Sequence, residues 1–102
     1  MAEGREHYAS GNWVVKEGSE EDFITRWKDW LTTSASKAPG FGSATLIRDI
    51  LNPNHFISLS TWDDAKMRDT WKNSSEFAEG MARVRELTDS FSGGDYVVAI
   101  RV

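Results

Sequence analysis

The sequence predicts a single α+β domain over residues 1–102 with the element order β-α-β-β-α-β. The chain is too short for two domains, and its 39% hydrophobic and 27% charged residues are typical of a globular protein. Apolar residues recur at strand spacing in some segments and at helix spacing in others. Turn residues separate these segments, and no long linker divides them.

The first strand is predicted over residues 7–16, and Gly18 closes it. Ser19 is then a helix N-cap, and the acidic residues 20–22 suit the positive end of a helix dipole. Apolar residues at helical spacing define this first helix: Phe23, Trp27, Trp30 and Leu31. The helix is expected to end before the Pro-Gly-Phe-Gly of 39–42, because proline disfavours helical geometry in the residue before it.

Two strands are predicted over 41–49 and 55–62, joined as a hairpin by the turn Asn-Pro-Asn at 52–54. Alternation places Phe56, Ser58, Ser60 and Trp62 on one face of the second strand, and His55, Ile57, Leu59 and Thr61 on the other. Both faces carry apolar groups. Since helices on one side cover only one face, we expect the other face to be buried against another subunit.

Asp63 is predicted to cap a second helix that contains Met67 and Trp71, and residues 73–76 are a break with a new cap. A third helical segment follows, with apolar residues at Phe77, Met81, Val84, Leu87 and Phe91. The glycine pair at 93–94 then introduces a last strand over 96–102. This order folds as a ferredoxin-like four-stranded antiparallel sheet with its helices on one face.

Composition excludes several classes of function. The chain has no cysteine, which removes disulfides, thiolate metal sites and iron–sulfur clusters. Its net charge is -4 with scattered basic residues, so a nucleic-acid partner is not expected. Apolar runs are short and the first residues do not form a signal peptide, so we expect a cytoplasmic protein without membrane contact. Five tryptophans and five phenylalanines are enough to line a cavity as well as a core.

Three motifs carry a family resemblance: the Pro-Gly-Phe-Gly of 39–42, the Ser-Thr-Trp-Asp-Asp of 60–64, and Trp71 followed by Ser74 and Phe77. They resemble the antibiotic biosynthesis monooxygenase (ABM) domain family of the dimeric α+β barrel superfamily, over nearly the whole chain. The resemblance implies a homodimer in which two sheets pack face to face as a barrel with the helices outside. It also implies an aromatic pocket in each subunit, between the sheet and its own helices.

The activity that the resemblance implies is that of a cofactor-independent monooxygenase acting on a small aromatic, quinol or polyketide-type compound. A deprotonated, electron-rich ring reduces oxygen directly, so no metal or other cofactor is expected. The implied catalytic residues are Trp62, Ser58 in place of a family asparagine, and Asn12 on the first strand. The implied substrate-binding residues are Trp71, Phe56, Ser60, Phe77, Met81 and Trp27. A ligand would need a cavity of roughly 300 Å³ or more between these side chains.

Two alternatives stay open. The first is a non-catalytic dimeric domain that binds a small apolar ligand, which the missing asparagine at Ser58 favours. The second is a haem-binding or haem-degrading relative. It is the weaker one, because Met81 stands where that resemblance implies a histidine ligand, and a methionine at helical spacing is more often a core residue. For Trp27, Trp30, Phe77 and Met81, the helical spacing favours plain core packing over contact with a ligand.

Overall fold

The computed structural model describes residues 5–102. Its four strands are β1 His7–Val15, β2 Phe41–Arg48, β3 His55–Trp62 and β4 Thr88–Val97. Its helices are α1 Glu20–Thr33, α2 Ala65–Lys72 and α3 Ser75–Arg85, with a short 3-10 helix, Ala35–Lys37, after α1. The strands form one antiparallel sheet in the order β2-β3-β1-β4, which confirms the predicted α+β ferredoxin-like fold. Within residues 5–102, every helix is too short or too polar to cross a membrane.

Alternation along the two central strands separates a buried face of the sheet from an open one. In β3 the four residues from Phe56 to Trp62 that share the predicted inner face are buried, and those between them are only half-buried. In β1 the buried residues are Gly11, Trp13 and Val15. Gly11 pairs with Ser58 across the two strands, so their inner faces join into one floor beneath the helices.

Two groups of aromatic rings form the core above this floor. The first group is built on Trp13, whose ring lies 5.4 Å from Phe23 and 4.3 Å from Phe91, measured between centroids. In the second group, the Trp71 ring lies between those of Trp30 and Trp62 and stacks on both. The centroid distances are 5.8 Å to Trp30 and 5.2 Å to Trp62. Phe77 meets Trp71 edge-on at 4.8 Å. Each favourable ring pair adds about 0.5–1.5 kcal/mol beyond area burial.

The helix caps differ from the predicted ones at one position. Asp64, not Asp63, caps α2, because the helix starts at Ala65 and the Asp64 carboxylate accepts the Met67 N–H at 2.8 Å. Asp63 instead forms an ion pair with Arg5 at 3.2 Å. The predicted break between α2 and α3 is confirmed, with Ser74 capping α3. Ser19 occupies the N-cap position of α1, as predicted, but its side chain makes no capping hydrogen bond.

The prediction of a last strand over 96–102 is wrong. β4 covers Thr88–Val97, and the glycine pair lies inside it, with Gly93 opposite Gly11 of β1. The edge of β1 that β3 leaves free offers backbone hydrogen-bond partners to residues 88–97. These hydrogen bonds outweigh the low strand propensity of the Gly- and Ser-rich segment. For the same reason Phe91 belongs to β4, where it packs on Trp13, and does not continue α3, which ends at Arg85.

Candidate functional site

A cavity of about 60 Å³, called the inner cavity below, lies between the inner face of the sheet and the helices. Six of the predicted site residues line it: Trp27, Ser58, Ser60, Trp71, Phe77 and Met81. Its wall is otherwise largely aromatic and aliphatic, and includes Trp13, Trp30, Leu31 and Phe91. The predicted aromatic pocket between sheet and helices is therefore present, but it is small.

The inner cavity has room for a few water molecules but not for an aromatic ring, because its volume falls well short of the roughly 300 Å³ that a ligand would need. Two predicted site residues help to fill the space instead of lining it. Phe56 is 1% exposed and Trp62 is 0% exposed, and both belong to the packed core beside the cavity. A bound ring therefore requires at least one side chain of the wall to move.

Two serine hydroxyls on β3 are the polar groups of the cavity floor. Ser58 Oγ accepts the indole N–H of Trp13 at 2.9 Å, and Ser60 Oγ accepts that of Trp62 at 2.9 Å. A hydroxyl has one hydrogen to donate as well as its acceptor sites, and among the described residues neither hydroxyl donates to another group. Both hydroxyls therefore have their hydrogens available for an acceptor atom in the cavity.

Trp13 and Trp30 also line the cavity, and neither is among the site residues predicted from the sequence. Gly11 makes room for the Trp13 indole, because a Cβ at this position would lie 2.6 Å from Trp13 Nε1 and 2.7 Å from Ser58 Oγ. The buried Nε1 of Trp30 has no hydrogen-bond partner among the described residues. In the sequence, Trp13 stands two residues after Gly11, which predicts that both lie on the same face of β1. Only the pairing of β1 with β3 shows that this face lies beside Ser58.

Asn12 does not join this group. It follows Gly11 in β1 and is exposed on the open face of the sheet, where its Oδ1 lies 2.8 Å from His55 Nε2. The other ring nitrogen of His55 lies 3.2 Å from Asp49 Oδ2. Asn12 is therefore separated from the inner cavity by the sheet itself, and the three side chains form a polar row at one end of the open face.

Asp49 in this row is expected to make stability depend on pH. Its pKa falls from 3.8 to about 2, because the carboxylate accepts the backbone N–H groups of Leu51 and Asn52 and a hydrogen bond with His55. Since the folded-state pKa is the lower one, this stabilisation is complete above pH 3.8 and disappears as the pH falls towards 2. Urea unfolding of Asp49→Asn should show a shallower loss of stability over that pH range, and equal slopes would contradict the assignment.

Trp71 separates the inner cavity from a larger space outside. It lines the inner cavity and also a groove of about 600 Å³, called the outer groove below, between the end of α1, the 3-10 helix and α2. Its indole N–H makes only a long contact, 3.4 Å, with Ser34 Oγ. Trp71 is therefore a side chain that the two spaces share.

Charges lie at the edge of the inner cavity and are paired. Lys72 lines the cavity, and its ammonium group lies 2.6 Å from the Asp95 carboxylate, which is also 3.7 Å from Arg68 Nε. Among residues 5–102, His, Asp and Glu side chains form no group of three that is able to hold a metal ion. The chemistry available in the cavity is therefore that of hydroxyls, indoles and an apolar wall.

Comparison with known proteins supports this fold over almost the whole chain. Two crystal structures of SnoaB, a cofactor-independent oxygenase from Streptomyces nogalater, match with TM-scores of 0.86, for a mutant form, and 0.85. Both are 18% identical and cover 96% of this chain and 97% of SnoaB. A conserved protein from Methanosarcina mazei Go1 matches with a TM-score of 0.82 at 18% identity, over 94% of this chain and 95% of that one.

At such low identity these structures establish the fold alone. No curated protein matches the sequence. The family model for antibiotic biosynthesis monooxygenase matches residues 8–83, which include all but the first residue of β1, all of β2 and β3, and most of the helical layer. The chain therefore belongs to the antibiotic biosynthesis monooxygenase family.

Proposed function

We propose that the protein is a cofactor-independent monooxygenase acting on a small aromatic, quinol or polyketide-type compound. The observation that carries the proposal is the pair of serine hydroxyls in an aromatic cavity, each accepting an indole N–H and each able to donate to an anionic oxygen. Membership of the family and the similarity in fold to a cofactor-independent oxygenase support it.

In this reaction the substrate provides the electrons. In an anthrone, the ring CH₂ group, which is conjugated with the carbonyl on the opposite side of the ring, loses a proton to solvent, and the resulting carbanion reacts with O₂ to form a carbon–oxygen bond and a peroxide. After protonation the O–O bond breaks, leaving one oxygen as a ring carbonyl and releasing the other as water with the two hydrogens of the CH₂ group. Ser58 and Ser60 would donate hydrogen bonds to the ring oxygen that carries the negative charge, in a site that excludes water.

Trp62 then acts through Ser60, and Trp71 admits the substrate. The Trp62 indole fixes the Ser60 hydroxyl, so Trp62 is a positioning residue rather than a direct contact. The inner cavity of about 60 Å³ is too small for a ring, so binding requires Trp71 to move towards the outer groove. Phe77 and Met81 would contact the bound ring from α3.

The second candidate function is binding of a small apolar molecule without catalysis. One observation favours it: the residue at position 58 is a serine. Where the family resemblance implies an asparagine, serine offers a single donor.

Oxygen uptake separates the two functions. The chelator-treated protein is mixed with an anthrone or a quinol, and oxygen consumption is compared with the spontaneous rate of the compound alone. A monooxygenase should accelerate uptake and, with ¹⁸O₂, introduce one labelled oxygen atom into the product. Binding detected by tryptophan fluorescence, without any acceleration of uptake across both compound classes, would overturn the proposal in favour of the non-catalytic function.

The open face of the sheet is proposed to pair with a second copy of the chain. Ile57 and Ile47 lie opposite each other at this face, and Ile47 is 49% exposed. Tyr96, at the other edge of the sheet, is 60% exposed. Apolar residues on an uncovered sheet face favour burial against a partner.

Ile57→Lys is expected to weaken this dimer at least tenfold, because it buries an unpaired ammonium group at the centre of the interface. Sedimentation equilibrium should give the wild type twice the 11.5 kDa mass of one chain, and the variant a mass approaching that of one chain. Thr32→Lys, on the exposed side of α1, is the matched control and should remain dimeric. A wild type of single-chain mass at micromolar concentration would contradict the dimer.

A further inference from the structure

The outer groove combines an apolar wall with two lysines that form no ion pair within the described part of the chain. We propose that it is a binding site for a planar aromatic anion such as an aromatic carboxylate. This inference goes beyond the oxygenase activity and stands without it, because binding of such a ligand requires no turnover. Its basis is the volume of the groove, the side chains that form its wall, and two lysines that have no acidic partner among the described residues.

The wall of the groove suits a flat ring. Trp71, Met67 and Pro39 contribute apolar surface, and the volume of about 600 Å³ lies within the range typical of small-molecule sites. Trp71 is the aromatic member of the wall, and since Trp30 and Trp62 stack on it, it offers the groove a ring edge. An aromatic ring therefore fits the groove without the side-chain movement that the inner cavity demands.

Lys37 and Lys66 provide the positive charge. Both line the groove, and neither forms an ion pair with any residue in the described part of the chain. Lys66 also lies in the first turn of α2, where the helix dipole disfavours a cation. By contrast, the Lys72 ammonium at the inner cavity is already paired with Asp95. An anion entering the groove therefore meets two ammonium groups that no ion pair among residues 5–102 engages.

Two carboxylates also line the groove, and both lie at helix N-termini. Asp64 caps α2 through the Met67 N–H, and Glu76 lies in the first turn of α3. The positive ends of these helices compensate part of their charge. The ammonium groups are left as the donors for a ligand, since the hydroxyls of Ser34, Thr70 and Ser74 donate to backbone carbonyls.

The test compares two probes of the same shape, 9-anthracenecarboxylate and the neutral 9-anthracenemethanol, by titration of the full chain with tryptophan fluorescence as the readout. We expect the carboxylate to bind at least tenfold more tightly at low salt, and the difference to shrink as salt increases. The double variant Lys37→Gln, Lys66→Gln should remove this preference and leave binding of the neutral probe unchanged. The control Lys28→Gln, exposed on α1 outside the groove, should keep the preference.

Equal affinity for the two probes, an unaltered preference in the double variant, or an equal loss in the Lys28→Gln control would each overturn the proposal. Amide chemical shifts locate the bound probe. The amide signals of Met67 and Thr70 should shift on binding. Changes confined to the amide signals of Ser58 and Ser60 would place the probe in the inner cavity and would also refute the proposal. Because these probes lack a ring CH₂ to oxidise, the result is independent of the oxygen-uptake experiment.

Discussion

Replacing Ser58 and Ser60 together by alanine is expected to reduce the accelerated oxygen uptake at least about 100-fold. The loss of a single donor to a developing oxyanion commonly lowers kcat by about 10²–10³-fold. Both hydroxyls line the inner cavity, and both are held by indole N–H groups. The effect should fall on kcat more than on KM, because the hydrogen bonds strengthen as negative charge develops on the ring oxygen.

Stability needs a separate measurement in this variant. Each alanine leaves a buried indole N–H without its acceptor, which costs roughly 1–3 kcal/mol of unfolding free energy. Rates are therefore compared only where urea unfolding shows both proteins to be folded. Ser90→Ala, at an exposed position of β4, is the matched control and should retain full activity. Uptake by the folded double variant within threefold of the wild type would exclude the two hydroxyls from the reaction.

Gly80→Ala is expected to destabilise the protein by about 1–3 kcal/mol, although alanine is the better helix former. Gly80 is buried in α3, and a Cβ there would lie 2.0 Å from Trp30 Cδ1 and 2.4 Å from Trp30 Nε1. The gain in helix propensity is only about 1 kcal/mol. Since the rigid Trp30 ring is held by Trp71 and Phe77, the clash should outweigh this gain.

Urea unfolding of two further variants checks the cause. Ala82→Gly, at an exposed position of the same helix, changes propensity alone and should cost about 1 kcal/mol. In a Trp30→Leu background, where the ring is absent, Gly80→Ala should become neutral or stabilising. If Gly80→Ala raises the stability of the wild type, Trp30 does not pack against α3 as described.

The order of the elements and the inner face of β3 follow from periodicity. The inner-face residues of β3 recur at every second position from Phe56 to Trp62, and the apolar residues of α1 recur at every third or fourth position. The last strand could not be placed in this way. Its segment is rich in Gly, Ser and Asp, and becomes a strand because β1 offers it a free edge. The position of Asp64 at the helix cap depends on where α2 begins, which differs by one residue from the predicted start.

For the candidate site, strand alternation and the family resemblance together identify Ser58, Ser60 and Trp71 as neighbours of one cavity. They do not reveal its volume, since this depends on how the Trp13 indole fills the space left by Gly11. The sequence also does not determine which face of the sheet carries Asn12, because a shift of the strand by one residue moves each side chain to the other face. Asn12 lies on the open face.

In the proposed reaction, an oxidisable ring binds between the sheet and the helices with its oxygen at the two serines. A crystal structure of the protein soaked anaerobically with an anthrone would reveal this binding mode. We expect a displaced Trp71 and a ligand oxygen within hydrogen-bond distance of both Ser58 Oγ and Ser60 Oγ. A ligand bound only elsewhere, or an inner cavity that keeps its volume of about 60 Å³ at saturating anthrone, would contradict it.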